Sequence, residues 1–444
     1  MNRALSNREW EGCREIVKYG KMIFALGASV LLLAACGDDK KEPEEKVKVE
    51  KGSEAVEETE TSSEVDDALA ELRKALEERE PTEESTIKND GEILNPHIAE
   101  MTEGDVEVLY TSKEPGYSHD MDGFVVTIDE YQITKVSDVN RDSEYLFKGN
   151  LEGYVVTALA TYENKRSNPV YYAGFASLLM DDRFDIVYGD RFKLVPREEA
   201  LHSGDSANVN KYPPGFKKQG FLSFVMTNEQ YAKLAKTKPK LIIDGGASER
   251  EDLREGYMEE ATFDFIYSGD NEQAVAEGPA FYRDDLTNQN IADKKMIFEK
   301  TDIGQKLELD GVEVTLEGVQ YTEIKPTEQY KSTFRNFADD GIVALTVKFA
   351  IDNQSDETFE LGRISSTLSA DDNTFRYFNQ GSLEPERSKQ LKPGETGGKL
   401  HVFLLDKYQF ERHEKFELAF GPVSGEDGKK LFKGRDILFN LPRE

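Results

Sequence analysis

The chain has 444 residues, and its 87 aspartates and glutamates outnumber its 56 lysines and arginines, which gives a formal net charge of −31 at pH 7. This balance excludes nucleic acid and anionic lipid headgroups as main partners, because phosphate binding requires clustered Lys and Arg. The two cysteines, Cys13 and Cys36, are too few for a disulfide scaffold, so the length predicts two or three domains with hydrophobic cores.

The N-terminal segment has the pattern of a secretion signal. Residues 1–21 carry five basic side chains, and an apolar run of 13 residues follows at 23–35. This run is short for a membrane-spanning helix, which needs about 20 apolar residues. The end of the run, Leu33-Ala34-Ala35-Cys36, resembles the bacterial lipobox.

The lipobox resemblance implies cleavage after Ala35 and attachment of lipid to the Cys36 thiol. We therefore predict a signal peptide over 1–35 and a mature protein held by lipid on the extracytoplasmic face of the cell membrane. The alternative is an uncleaved apolar helix with an incidental cysteine.

Residues 36–94 are predicted to form an acidic, disordered tether. No aromatic residue occurs from Gly37 to Leu109, and residues 37–86 hold 19 acidic and 8 basic side chains. Such a composition cannot offset the conformational entropy lost on folding. An apolar stripe of four residues predicts one short helix, either transient or docked on a partner; its members are Val65, Leu69, Leu72 and Leu76.

From Tyr110 onward the pattern changes to alternating apolar runs that are separated by turn residues. Helical periodicity is scarce, and its best example is Asn228–Lys236. Strands and helices do not alternate, so a parallel α/β sheet is not expected. These features predict a mainly β fold with antiparallel strands.

The chain also contains an internal repeat. Residues 122–134 match 310–322 at a constant offset of 188, and the matched residues include Gln132 and Gln320. Both segments start with Asp-Gly. Beyond them, two strand ends and two turns match as well; these are Glu163-Asn164 with Asp352-Asn353 and Pro214-Gly215 with Pro393-Gly394.

The repeat divides the chain into two copies of one unit. An approach segment at 95–100 matches 288–293, and each copy has about seven strands at the spacing of a β-sandwich. We predict an Ig-like antiparallel sandwich over 95–270, a linker over 271–287 and a second Ig-like sandwich over 288–444.

Each copy resembles the Ig-like, telokin-like sandwiches of uncharacterised lipoproteins from Bacillus-type bacteria. The same broad superfamily includes a mycobacterial secreted immunoprotective antigen. The resemblance depends on the Asp-Gly strand starts, the strand-end asparagines and the Pro-Gly turns. It supplies no catalytic residues to carry over to this chain.

No arrangement of residues in the sequence predicts an enzyme or a cofactor. The five histidines lack metal-ligand spacing, and no Gly-x-Ser-x-Gly motif occurs. Two acidic pairs, Asp181-Asp182 and Asp371-Asp372, are weak candidates for a cation site, since hard cations take several oxygen ligands. The alternative is a β-turn, which Asp favours through bonds to its own backbone.

Aromatic residues offer a further candidate for binding. Tyr171-Tyr172 and the segment Tyr212–Phe216 are predicted either to face a partner or to lie in the core. The leading functional hypothesis is an anchored module that binds an envelope protein or acts as a scaffold. The alternatives are a sensor of a small ligand or cation, and an enzyme of unrecognised type.

Overall fold

The computed structural model describes residues 93–443, except 338–339, 372–374, 387 and 426. The first half of this region starts with helix α1 (His97–Thr102) and has a second helix, α2 (Asn228–Leu234), where a helix was predicted. Its strands are β1 (Asp105–Met121), β2 (Phe124–Ser137), β3 (Gly153–Asn164), β4 (Val170–Tyr171), β5 (Ala176–Leu179), β6 (Ile186–Tyr188), β7 (Lys211–Tyr212), β8 (Lys217–Met226), β9 (Lys240–Ile243) and β10 (Ala261–Asp264).

Helices α3 (Gly269–Glu277) and α4 (Asp285–Asn288) lead to the second half, which also contains α5 (Lys407–Arg412). Its strands are β11 (Ala292–Lys300), β12 (Gln305–Leu309), β13 (Val312–Pro326), β14 (Ile342–Asn353), β15 (Phe359–Glu360), β16 (Ile364–Ala370), β17 (Phe375–Phe378), β18 (Gln390–Leu391), β19 (Thr396–Asp406), β20 (Phe416–Val423) and β21 (Ile437–Leu441). Short 3-10 helices join several of these elements.

The strands of the first half form two four-stranded sheets. One has the order β1-β2-β3-β8, the other has the order β10-β9-β5-β6, and the pairings within them are antiparallel. The chain crosses from β3 to β5, returns to β8 beside β3, and crosses again to β9 beside β5. These Greek-key connections are typical of Ig-like sandwiches.

The second half repeats this topology strand for strand. Its sheets have the orders β11-β13-β14-β19 and β21-β20-β16-β17, and the small pair β15-β18 corresponds to β4-β7. Strand β12 adds one hairpin by pairing with β13. The predicted fold of two tandem antiparallel sandwiches is therefore confirmed.

Each sandwich has its own hydrophobic core, to which both of its sheets contribute. In the first copy, Val126 and Val156 of one sheet pack in the same cluster as Leu178 and Leu241 of the other. In the second copy the corresponding cluster includes residues from β13, β14, β16 and β20. Residues 312–317 of β13 alternate between buried and half-buried, because successive side chains of a strand point to opposite faces.

The predicted Asp-Gly segments are hairpin turns of two residues. Asp122 and Gly123 have φ angles of 52° and 95°, and Asp310 and Gly311 have φ angles of 47° and 89°. Positive φ at both central positions defines a type I′ turn, whose twist matches that of the strands it joins. One turn connects β1 to β2, and the other connects β12 to β13.

Two buried glutamines hold the segment that enters each sandwich. Gln132 Oε1 accepts a hydrogen bond of 2.9 Å from the Leu94 backbone N–H, and Gln320 Oε1 accepts one of 2.8 Å from the Tyr282 N–H. Leu94 and Tyr282 are again 188 positions apart. These bonds place the start of the second copy near Tyr282, inside the segment 271–287 that was predicted to be a linker.

Candidate functional site

The predicted lipidation residue, Cys36, and the predicted cleavage residue, Ala35, lie outside the described residues. So do the apolar run and the short helix that were predicted in the tether. Within the described part of the chain, no helix has the length and apolar character that crossing a bilayer requires.

The first acidic pair lies in the turn between β5 and β6. Asp182 Oδ1 accepts a 2.7 Å hydrogen bond from the Phe184 N–H, and the Asp185 N–H bonds to the Asp182 carbonyl. Burial, together with the charges of Asp182 and Asp185, raises the pKa of the Asp181 carboxyl. A single lysine, Lys233, neutralises part of this acidic turn through a contact of 2.6 Å to Asp185.

The second acidic pair occupies the equivalent turn between β16 and β17, although Asp372 is not among the described residues. Asp371 accepts hydrogen bonds from the Glu414 and Lys415 N–H groups at 3.1 and 3.0 Å. Its other oxygen lies 2.8 Å from His413 Nδ1, and this contact is the main cause of its lowered pKa. In the described ranges, no group of three or more His, Cys, Asp or Glu side chains could hold a metal ion.

The aromatic segments chosen from the sequence belong mostly to the core. Tyr172 and Tyr212 are fully buried, while Tyr171 and Phe216 are half-buried. Burial raises the pKa of Tyr212 to about 12. These residues therefore form part of the first sandwich's interior and do not constitute a contact surface.

Other aromatic side chains are exposed on the outermost strand of each second sheet. Tyr188 at the end of β6 is 69% exposed, and Phe378 at the end of β17 is 64% exposed. They occupy equivalent positions, because Tyr188 pairs with Ser177 of β5 and Phe378 pairs with Thr367 of β16. We call Tyr188 and Phe378 the edge aromatics.

A third exposed ring, Phe184, lies in the turn before β6 and is 75% exposed. The Arg183 guanidinium lies 4.9 Å from the centre of this ring. Sequence analysis missed the edge aromatics, but the offset of 190 residues that relates Asp181 to Asp371 also relates Tyr188 to Phe378. The repeat therefore contained the signal that could have found them.

The interior of the first sandwich contains an arginine without a carboxylate partner. Arg191 is only 4% exposed, and no salt bridge joins it to a described Asp or Glu. Its Nη1 donates to the Leu201 carbonyl and to the Tyr212 hydroxyl at 3.4 and 3.2 Å, and its Nη2 donates to Asn210 Oδ1 at 3.0 Å. Its buried Nε has no hydrogen-bond acceptor among the residues that the structure describes.

The second sandwich contains a buried charged triad of Glu384, Lys399 and His401. Glu384 lies 2.8 Å from Lys399 Nζ and 3.1 Å from His401 Nδ1. Burial raises the pKa of Glu384, but the neighbouring His401 and Lys399 outweigh this effect and lower it to about 2. Burial lowers the pKa of His401, so this ring is neutral at pH 7.

The fold thus defines the described part of the chain as a pair of β-sandwiches. Residues 82–268 match the family described as "Domain of unknown function (DUF5068)". The match covers the first sandwich and part of the segment before it. None of the curated proteins matches the chain.

Several solved structures of uncharacterised bacterial proteins are similar to part of the chain. A functionally unknown protein from Listeria monocytogenes is 21% identical, with a TM-score of 0.32, and the match covers 38% of this chain and 91% of that protein. An uncharacterised β-sandwich protein from Clostridium difficile is 13% identical, with a TM-score of 0.22 and coverages of 34% and 100%. A conserved hypothetical protein from Bacillus anthracis is 18% identical, with a TM-score of 0.22 and coverages of 30% and 96%.

Proposed function

We propose that the protein is an extracytoplasmic lipoprotein, anchored through Cys36, whose tandem telokin-like sandwiches bind another protein of the cell envelope without catalysing a reaction. The observation that carries the binding role is the pair of edge aromatics. Exposure of a large aromatic ring to water is unfavourable, and aromatic side chains are enriched at protein interfaces. Two copies present such a ring at one equivalent position.

Charge defines the chemistry of the partner. The edge aromatic Tyr188 lies close in sequence to Asp181, Asp182 and Asp185, and the whole chain carries a net charge of −31. A surface that combines exposed rings with carboxylates favours a partner with apolar and cationic groups, because charge complementarity guides encounter and excludes acidic proteins.

The binding role is tested by chemical crosslinking on intact cells that express the full chain, followed by purification and mass spectrometry. The variant Tyr188→Ser/Phe378→Ser removes both edge aromatics. We expect a reproducible envelope partner with the unmodified protein and a loss of at least half of that partner with the double variant. Interface aromatics often contribute more than 1 kcal/mol each.

Tyr145→Ser is the matched control, because Tyr145 is 71% exposed and belongs to neither edge strand. The control should keep the partner at the unmodified yield. Equal yields from the double variant and the unmodified chain would show that the edge aromatics are not the contact, and the absence of any reproducible partner would reject the binding role itself.

The anchor is a separate prediction with its own test. Cys36→Ala removes the thiol that would carry lipid, and several acyl chains on one residue hold a protein firmly at a bilayer. We expect the variant protein to move from the membrane fraction to the culture medium, as measured by immunoblotting of both fractions. Cys13→Ala should leave the distribution unchanged, and a Cys36→Ala protein that stays with membranes would refute the anchor.

A further inference from the structure

The buried arginine of the first sandwich carries a charge that no described carboxylate pairs with. Arg191 donates only to neutral acceptors, which are a carbonyl, a hydroxyl and an amide oxygen. A buried charge is costly unless it is paired and fully hydrogen-bonded. The unpartnered Nε therefore marks a place where a negative group would be strongly favoured.

Nearby carboxylates are directed elsewhere. Asp190, the adjacent residue, accepts hydrogen bonds from the Phe192 and Lys193 N–H groups at 2.8 and 3.2 Å. Asp244 accepts one of 3.2 Å from the Phe175 N–H, and burial raises the pKa of its carboxyl. Neither side chain is within salt-bridge distance of Arg191 among the described ion pairs.

Other groups around this arginine are cationic or neutral. His202 is buried, its Nδ1 accepts a hydrogen bond from the Gly204 N–H, and its Nε2 therefore donates to the Arg197 carbonyl. Burial lowers the pKa of His202, and the charges of Lys218, Arg197 and Arg191 lower it further. The ring thus contributes no negative charge and remains neutral beside these cations.

Two half-exposed rings cover the guanidinium. The centre of the Phe175 ring lies 5.1 Å from the central carbon of Arg191, and that of Phe192 lies 5.9 Å from it. Phe175 is 37% exposed and Phe192 is 44% exposed. These rings therefore separate the guanidinium from solvent and present apolar surface to any group that approaches it.

We propose that Arg191 is the anchor of a binding site for a small monocarboxylate with an apolar or aromatic substituent, admitted between Phe175 and Phe192. Nε and a neighbouring Nη of a guanidinium present two parallel N–H donors, which match the two oxygens of a carboxylate. The rings of Phe175 and Phe192 then contact the substituent. The second copy lacks this site, since Gly381 occupies the position equivalent to Arg191.

The test uses the full chain and sodium phenylacetate as the probe, with sodium chloride at equal ionic strength as the blank. Binding is measured by calorimetry and by the NMR signal of the Arg191 Nε–H group. We expect saturable heat and a shift of that one arginine signal, with weaker binding of acetate. Inorganic phosphate should bind more weakly than phenylacetate, because it lacks the apolar substituent.

Arg191→Lys keeps the charge but removes the planar pair of donors, so phenylacetate binding should weaken at least tenfold. Arg197→Lys, at an exposed arginine of the same region, should bind as the unmodified chain does. If Arg191→Lys does not fold, the NMR signal of the unmodified chain decides alone. No shift on addition of phenylacetate, or equal binding of phosphate, overturns the proposal.

Discussion

At the scale of single residues, His401 links the stability of the second sandwich to pH. The ring is fully buried between Phe349 and Phe420, and its Nε2 has no hydrogen-bond partner in the described part of the chain. Because burial lowers its pKa below the unfolded value of 6.5, the unfolded chain binds the proton more readily than the folded chain. This residue therefore reduces stability as the pH falls below 6.5.

We predict that His401→Gln loses less stability than the unmodified chain when the pH falls from 6.5 toward 4.5, the unfolded pKa of a glutamate. The lowered pKa of Glu384 acts below that window, because its contribution is present above 4.5 and is lost as the pH falls toward about 2. Urea unfolding at a series of pH values measures the free energy of unfolding in both pH ranges.

His97 provides a control of opposite sign. Burial lowers the pKa of its ring, but hydrogen bonds to Glu100 and Glu199 outweigh burial and raise it. Its contribution is therefore fully present below 6.5 and is lost as the pH rises through its folded pKa. Relative to the unmodified chain, the His97→Gln variant should be destabilised most at the acidic end of the pH range. Parallel pH curves for the two variants would contradict both assignments.

At the scale of elements, one asparagine in each copy joins the end of a central strand to a distant turn. Asn164 Nδ2 donates to the carbonyls of Asn168, Tyr212 and Pro213 at 3.0, 3.0 and 3.1 Å. Asn353 Nδ2 donates to those of Glu357 and Leu391 at 2.8 and 3.1 Å.

The backbone bonds of these asparagines repeat as well. The Gly215 N–H bonds to the Asn164 carbonyl, and the Gly394 N–H bonds to the Asn353 carbonyl. Strand β3 is thus fixed to the turn before β8 in the first copy, and β14 is fixed to the turn before β19 in the second.

We predict that Asn353→Ala destabilises the second sandwich by roughly 1–3 kcal/mol, because buried carbonyls lose their donor. Asn353→Asp should cost at least as much, since an oxygen would then face those carbonyls. Urea denaturation measures both. Asn440→Ala, at an exposed position of the same sandwich, should change the free energy of unfolding by less than about 0.5 kcal/mol. An effect of similar size in all three variants would contradict this role.

The sequence identified these elements better than it identified their contacts. The strand-end asparagines and the Pro-Gly turns could be recognised because the repeat displays each of them twice. Their hydrogen bonds could not be recognised from the sequence, since Asn164 and Tyr212 are 48 positions apart and meet only in the folded sandwich. Arg191 gave no signal, because the second copy has a glycine at the equivalent position and its hydrogen-bond partners lie 10 to 21 positions away in sequence.

The segments that lead into the two copies show a second limit of prediction from the sequence. The similarity of 95–100 to 288–293 implied an offset of 193, whereas the bonds of Gln132 and Gln320 relate Leu94 to Tyr282 at 188. Segments of six residues can resemble one another by chance, while a hydrogen bond to a buried glutamine fixes one alignment. The start of the second copy could therefore be located only in the structure.

At the scale of the whole molecule, the two sandwiches meet through polar contacts. The Lys389 N–H donates to Glu259 Oε1 at 3.0 Å, and Lys238 and Arg283 pair with Asp293 and Asp264. Every hydrophobic cluster of the described residues belongs to one copy alone. Exposed ion pairs contribute little to stability. Each sandwich therefore gains little stability from its contacts with the other.

We therefore predict two unfolding transitions in calorimetry of the full chain. Asn164→Ala should lower the midpoint of one transition, and Asn353→Ala should lower the midpoint of the other. A shift of roughly 2–4 °C for each kcal/mol lost is expected for domains of this size. A single transition that both variants move equally would show that the junction couples the copies strongly.

The matched hydrogen bonds of the two copies also give a relative order of events in the history of the chain. The strand-end asparagines, the buried glutamines and the Asp-Gly turns occur in both sandwiches with the same partners, so they were present in the ancestor before it was duplicated. Arg191 is equivalent in position to Gly381 of the second copy, and His401 is equivalent to Leu222 of the first copy. At each of these two positions one copy has therefore changed since the duplication, and the chemistry of the two interiors has diverged there.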